Sequence, residues 1–154
     1  MLNSVLVPLV LLLNGLAAGV LVGAQLGGFP LMVDLPPGQY VHAHAFFATR
    51  YDPFMPACLL GTVLGDLVLA FAPAEGAVRA LHVIGAVFAA LTVVVSVTKN
   101  VPINRWVRSL DPENLPADFE RLDRRHEWGA WNARRGGLAV LALLVNCVAA
   151  GLLI

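Results

Sequence analysis

Val5–Phe29 reads VLVPLVLLLNGLAAGVLVGAQLGGF, without a single charged side chain. That length is enough to cross a bilayer, which takes about 20 apolar residues. Three further stretches resemble it: Pro53–Ala72, Val78–Thr98 and Gly136–Ile154. Nine of the ten Lys and Arg residues lie outside them, in the connections 30–52 and 99–135 or at their edges. The pattern predicts an all-α integral membrane four-helix bundle, a single transmembrane domain over residues 1–154. Hydrophobic residues make up 58% of the chain, and the mean hydropathy is +0.77. A soluble core of this size could not hide so many apolar side chains, so lipid must cover much of the surface.

The N-terminal apolar run lacks a positive leader and reads as a retained first span. Lys/Arg-rich connections face the cytoplasm by the positive-inside rule, placing both termini outward in a cell membrane. Net charge is zero, and nothing suggests a nucleic-acid partner. Cys58 and Cys147 both lie in spans and read as small hydrophobes, with neither a disulfide framework nor a zinc motif.

Gly15, Gly19, Gly23 and Gly27 recur every fourth residue and form one smooth helix face. Such a face admits a neighbouring helix. The expected partner is the fourth span, through Ala130, Ala133 and Gly137, or a second copy of the chain through Gly15, Gly19 and Gly23. Asp66 and His82 fall at similar depth in spans two and three and are expected to meet, as a hydrogen bond or as a proton site. Asn14 and Asn146 fall near mid-membrane and are expected to bond across the bundle.

In the first connection, Pro36, Pro37 and Gly38 break the chain. Residues 39–51 predict a short interfacial helix with Tyr40, His44, Phe47 and Tyr51 on one side. Asp52-Pro53 reads as the opening of the second span. His42 and His44 raise a metal reading, but on a helix they point about 160° apart. In the second polar connection, TKNVPINRW suggests a helix end and a turn at Pro102, with Asn100 and Asn104 facing the cytoplasmic opening. Asp111-Pro112 and Leu115-Pro116 mark a loop. A helix is expected from Ala117 into span four, with Asp118 and Glu120 favourably placed in its first turn. Trp128, Asn132 and Arg135 share one stripe of it. His126 shares the small-residue face of Ala130, Ala133 and Gly137 and is expected to point into the bundle.

Three motifs stand in order: H-x-F-x-x-x-R-Y-D-P-x-M-P from His44 to Pro56, T-K-N-V-P-I-N from Thr98 to Asn104, and W-x-x-W-N-x-x-R from Trp128 to Arg135. Together they resemble the anthrone-oxygenase-like family of small four-helix membrane proteins. The resemblance implies oxidation of an anthrone-like, apolar aromatic substrate with O₂. It carries over Asn100, Asn104, Asn132 and Arg135 as site residues, with His44 and Asp52 beside them. In such a site His44 or His126 would remove a proton, since histidine titrates near neutral pH. Arg135 and the three amides would stabilise the resulting enolate. No flavin or nicotinamide fingerprint is present, so no organic cofactor is expected. Two alternatives stand beside this one. The first is a metal-dependent oxidase holding copper, iron or zinc on His42, His44 and His126, with Asp52 as a further ligand. The second is a non-enzymatic membrane scaffold. A proton-coupled transporter built on Asp66 and His82 would lack the internal repeat such proteins often show.

Overall fold

The computed structural model describes residues 2–51, 54–72 and 75–153, and every regular element among them is helical. The helices are α1 (Leu2–Asp34), α2 (Pro37–Tyr51), α3 (Phe54–Phe71), α4 (Gly76–Arg108), α5 (Phe119–Leu122) and α6 (Arg125–Gly151). Asp52-Pro53 lies outside the described residues. Four of the helices are long and apolar enough to cross a membrane. They close into a ring in which α1 packs on α3, α3 on α4, α4 on α6 and α6 on α1.

The seams of the ring are built from small residues. Ala17, Ala18, Ala86, Ala89, Ala139, Ala142 and Ala149 are buried, while Leu12, Leu64, Val94 and Leu144 face outward. That inversion is expected where lipid is as apolar as leucine and close helix contact supplies the attraction. A Cβ on Gly61 would lie 2.7 Å from Leu13, and one on Gly65 would overlap Val10, so α3 needs both glycines to approach α1. The stripe of Gly15, Gly19, Gly23 and Gly27 behaves differently. A Cβ on any of them would meet nothing within 4 Å. The fourth span therefore does not pack there; it meets α1 through Asn14, Ala18 and Leu21 instead.

Helix length decides where the polar residues collect. α1 and α4 each run 33 residues, about 50 Å at the helical rise, against roughly 30 Å of hydrocarbon. α3 has only 18 residues and just spans it. The surplus of α1 and α4, with the start of α6, projects at the end where both polar connections lie, and α2 folds in among them. A separate core forms there from Met32, Tyr40, Val41, Ile103, Val107, Phe119 and Trp128.

The projection is continuous because Pro102 does not end the helix. Residues Ser96–Asn100 form a π-turn in which the Val101 amide bonds the Ser96 carbonyl. The widened turn makes room for the proline that follows. Ala24–Gly28 repeats the device ahead of Pro30, with the Phe29 amide on Ala24. The expected turn at Pro102 is thus replaced by unbroken helix, and spans one and three run past residues 29 and 98. Span four departs in the other direction. Its helix is interrupted at Asp123 and Arg124, which leaves α5 as a single four-residue turn.

Far from the polar end, a buried network crosses the bundle. His82 Nδ1 lies 3.0 Å from Asp66 Oδ1, Asn146 Nδ2 donates to Asp66 Oδ2 (3.0 Å) and to Asn14 Oδ1 (3.3 Å), and Asn14 Nδ2 donates to the Ala139 carbonyl (3.1 Å). Both expected contacts are present and joined into one chain. Gly85 lets it close, since a Cβ there would lie 2.7 Å from Asn146 Oδ1. Asp66→Ala removes an acceptor from two buried donors. Each such loss costs roughly 1–3 kcal/mol. The detergent-solubilised variant is expected to unfold at lower temperature or SDS fraction, whereas Arg79→Ala, at an exposed site, leaves the midpoint unchanged.

Candidate active site

The elements of the polar end enclose a cavity of about 310 Å³. Its wall is mostly apolar, with Leu21, Met32, Phe47, Met55, Leu59 and Val93 among the lining residues, and His44, Ser96, Asn104, Trp128 and Arg135 form its polar part. The rim includes the exposed side chains of Tyr51, Pro56, Leu60 and Val97. Leu60 and Val97 lie within the apolar spans, so this part of the rim faces hydrocarbon.

The polar part can be read proton by proton. Trp128 Nε1 donates to Asn104 Oδ1 at 2.8 Å. An indole N–H can only donate, so the Asn104 atom facing it must be the oxygen. The same oxygen lies 3.0 Å from His44 Nε2, which must therefore carry its hydrogen. Burial holds the His44 imidazole below its usual pKa, opposed by the hydrogen bond to Asn104 and the charge of Asp123. The neutral ring then keeps its lone pair on Nδ1, where the Tyr40 hydroxyl donates at 3.1 Å. Burial also pushes the Tyr40 phenol up, with Asp123 adding to it, so the phenol keeps its proton.

Both hydrogen-bonded donors point at the oxygen of Asn104, which leaves its NH₂ without a protein partner among the described residues at the cavity wall. Arg135 is held beside it. Its Nε and one terminal nitrogen donate to Asn132 Oδ1 at 3.2 and 3.0 Å, and the other donates to Ser96 Oγ at 3.1 Å. Asn132 is itself anchored, donating to Gln25 Oε1 at 2.9 Å and to the Leu21 carbonyl at 3.4 Å. Asn100 stands behind Trp128 and donates to its carbonyl at 3.1 Å. Thus His44, Asn104 and Arg135 reach the cavity, while buried Asn100 and Asn132 support it from behind.

His126 does not join them. It is exposed, its ring edge-on to Phe29 with centroids 6.3 Å apart. Ala130, Ala133 and Gly137 are exposed as well, so the inward face of α6 is the other one. On that face the close approach is made by Gly129, where a Cβ would overlap the Phe29 ring. His42 is exposed while His44 is buried. Among the described residues no three His, Cys, Asp or Glu side chains converge as a metal site would require, and the set His42, His44 and His126 is not brought together. Asp52 lies outside the described residues.

Four residues with a part in this geometry were given no site role from the sequence. Gln25 sits in the first π-turn, and nothing in the local pattern marks it as inward. Ser96 opens the second. Tyr40 was visible only as part of an aromatic stripe. Arg125 is nearly buried and donates to the Met32 and Leu35 carbonyls at 2.9 Å each. It also bonds Asp123 at 2.6 Å and lies 4.0 Å over the Tyr40 ring. A cation on the last carbonyls of a helix is well placed against its dipole. Arg125 therefore fixes the end of α1 to the start of α6, with Tyr40 beneath.

A family model described as anthrone oxygenase matches residues 44–145. The chain belongs to the anthrone oxygenase family. The matched segment begins at His44 and takes in Asn100, Asn104, Trp128, Asn132 and Arg135, whereas Gln25 and Tyr40 precede it. No curated protein and no solved structure gives a significant match.

The lowered pKa of His44 has a consequence for stability. The unfolded imidazole takes a proton near pH 6.5, and the folded one resists it. Its contribution is therefore complete above that pH and is lost as pH falls toward the folded value. Thermal midpoints in detergent between pH 7.5 and 5 are expected to fall less steeply for His44→Gln than for the native chain. Equal slopes would mean that His44 is not held neutral.

Proposed function

We propose that the chain is a membrane-embedded oxygenase that oxidises an anthrone-like, apolar aromatic substrate with O₂, without an organic cofactor. The observation that carries this reading is the pairing of an apolar cavity, part of whose rim faces lipid, with a polar wall that presents a guanidinium and an amide NH₂. A planar carbon acid would partition into such a space, with its carbonyl oxygen toward Arg135 and Asn104. Those groups stabilise negative charge as it develops on that oxygen, and preorganised donors of this kind supply much of the rate enhancement in many enzymes.

The neutral His44 is the base. It accepts the benzylic proton at Nδ1 once the Tyr40 hydroxyl turns aside. The enolate then gives electrons to O₂, a carbon–oxygen bond forms, and the resulting peroxide is protonated. Loss of the second proton from that carbon cleaves the O–O bond. The carbon becomes a ketone, and one oxygen atom leaves as water. The enolate supplies the electrons, so this sequence calls on no further reductant. The scaffold alternative leaves the cavity without a use, and among the described residues His42, His44 and His126 do not converge as the metal alternative would need. We further infer, from the excess of Lys and Arg at the polar end, that this end faces the cytoplasm.

The test is O₂ uptake by purified protein with an anthrone between pH 5 and 9. His44→Ala is expected to lose about 10²–10⁴-fold, and Arg135→Ala about 10²–10³-fold, each with the helical circular dichroism intact. His126→Ala should retain full turnover. Absence of uptake with every anthrone tried would overturn the reading. For orientation, a cysteine introduced at Arg121 should resist an impermeant thiol reagent in intact cells, while labelling there would reverse the assignment.

A further inference from the structure

On the outer surface of the α4–α6 seam, two cations share one tryptophan. Lys99 Nζ lies 5.0 Å and Arg134 Cζ 4.3 Å from the centroid of the Trp131 ring. Both side chains are exposed, and neither forms an ion pair among the described residues. Two positive charges on one ring lie closer than the roughly 10 Å Debye length at 0.1 M salt, so they repel. The nearest acid on this face of α6 is Glu127, one turn before Trp131. Its carboxylate is already taken by Arg124, through two hydrogen bonds of 2.8 Å. The group of Arg124, Glu127, Lys99 and Arg134 thus keeps an excess of positive charge.

Its depth is set by the sequence. Lys99 directly follows the apolar run 78–98, and Arg134 lies just before the run that starts at Gly136. The pair therefore sits at the edge of the hydrocarbon, where tryptophan is also at home. Leu138 and Leu141 follow Arg134 at helical spacing, and Leu141 is exposed. Charge above and an apolar track below match the two ends of one lipid molecule.

We propose that Lys99, Trp131 and Arg134 bind the phosphate of an anionic phospholipid, whose acyl chain lies along Leu138 and Leu141. Lys99 belongs to the π-turn that delivers Asn100 to the Trp128 carbonyl, and Arg134 adjoins Arg135 of the cavity. A lipid clamped across the two helices would brace that turn from outside. The inference does not depend on the reaction proposed above.

The experiment is a native mass spectrometry titration of the full chain in neutral detergent. The probes are phosphatidylglycerol, phosphatidylcholine with the same acyl chains, and inorganic phosphate. One phosphatidylglycerol is expected to bind saturably and in preference to phosphatidylcholine, with phosphate failing to compete at equal concentration. Lys99→Gln with Arg134→Gln should weaken binding roughly thirtyfold, the effect of two basic residues near a membrane surface. Arg79→Gln, at the other end of the bundle, should leave it unchanged. If the double variant does not fold, each single Gln variant should show a partial loss. Equal binding of both lipids, unchanged affinity in the Gln variants, or full competition by phosphate would each overturn the proposal.

Discussion

The Trp128 indole N–H is the fixed point of the polar end. Because it can only donate, it orients the Asn104 amide, and that amide dictates which His44 nitrogen bears hydrogen. The consequence runs on to Tyr40 in one direction and to the exposed NH₂ of Asn104 in the other. A phenylalanine at 128 would keep an aromatic ring there and release all three assignments. This is why Trp128 belongs with the site even though tryptophan at such a depth is usually an interfacial anchor. Trp131, three residues on, keeps the anchor's position and carries its cations on the lipid side.

The two π-turns do the corresponding work for the backbone. Each precedes an X-Pro pair, Phe29-Pro30 or Val101-Pro102, and each lets the helix absorb a residue that lacks an amide hydrogen. Each also delivers an amide side chain to α6. Gln25 from the first holds Asn132, and Asn100 from the second holds the Trp128 backbone. The cavity is lined by residues of both turns, Ala24 and Gly28 on one side and Ser96 and Val97 on the other. Helix continuity and site geometry thus rest on the same local departure from α-helical pairing.

These facts explain what could and could not be read from the chain. The spans were legible because lipid imposes a length and forbids stray charge. The meeting of Asp66 with His82 was legible too, since a short link fixes equal depth on adjacent helices. The stripe of Trp128, Asn132 and Arg135 followed from helical spacing alone. His126 was misread because Ala130, Ala133 and Gly137 look like a packing face. That inference holds for helices whose contacts are set by size, and the start of α6 lies beyond the hydrocarbon. There the orientation is set by polar partners: Arg125 on the carbonyls of α1, Asn132 on Gln25, and Trp128 on Asn104. Pro102 misled for a related reason. Proline predicts a break only where the preceding turn is α-helical, and a π-turn leaves no mark in residue types.

The bundle keeps its two polar networks apart for a physical reason. The Asp66–His82–Asn146–Asn14 chain lies further along the bundle from the polar end, and buried apolar seams such as Ala17 with Cys58 and Leu59 lie between them. A polar group in lipid must find its partner inside the protein, so each network has to be nearly self-sufficient. The distal one joins all four helices of the ring and so fixes their register. With the register fixed at one end, the other end can hold a cavity without the helices collapsing into it. α3 completes the arrangement by being short. Its first turn, at Met55 and Pro56, lines the cavity, and its exposed Leu60 belongs to the part of the rim that faces lipid.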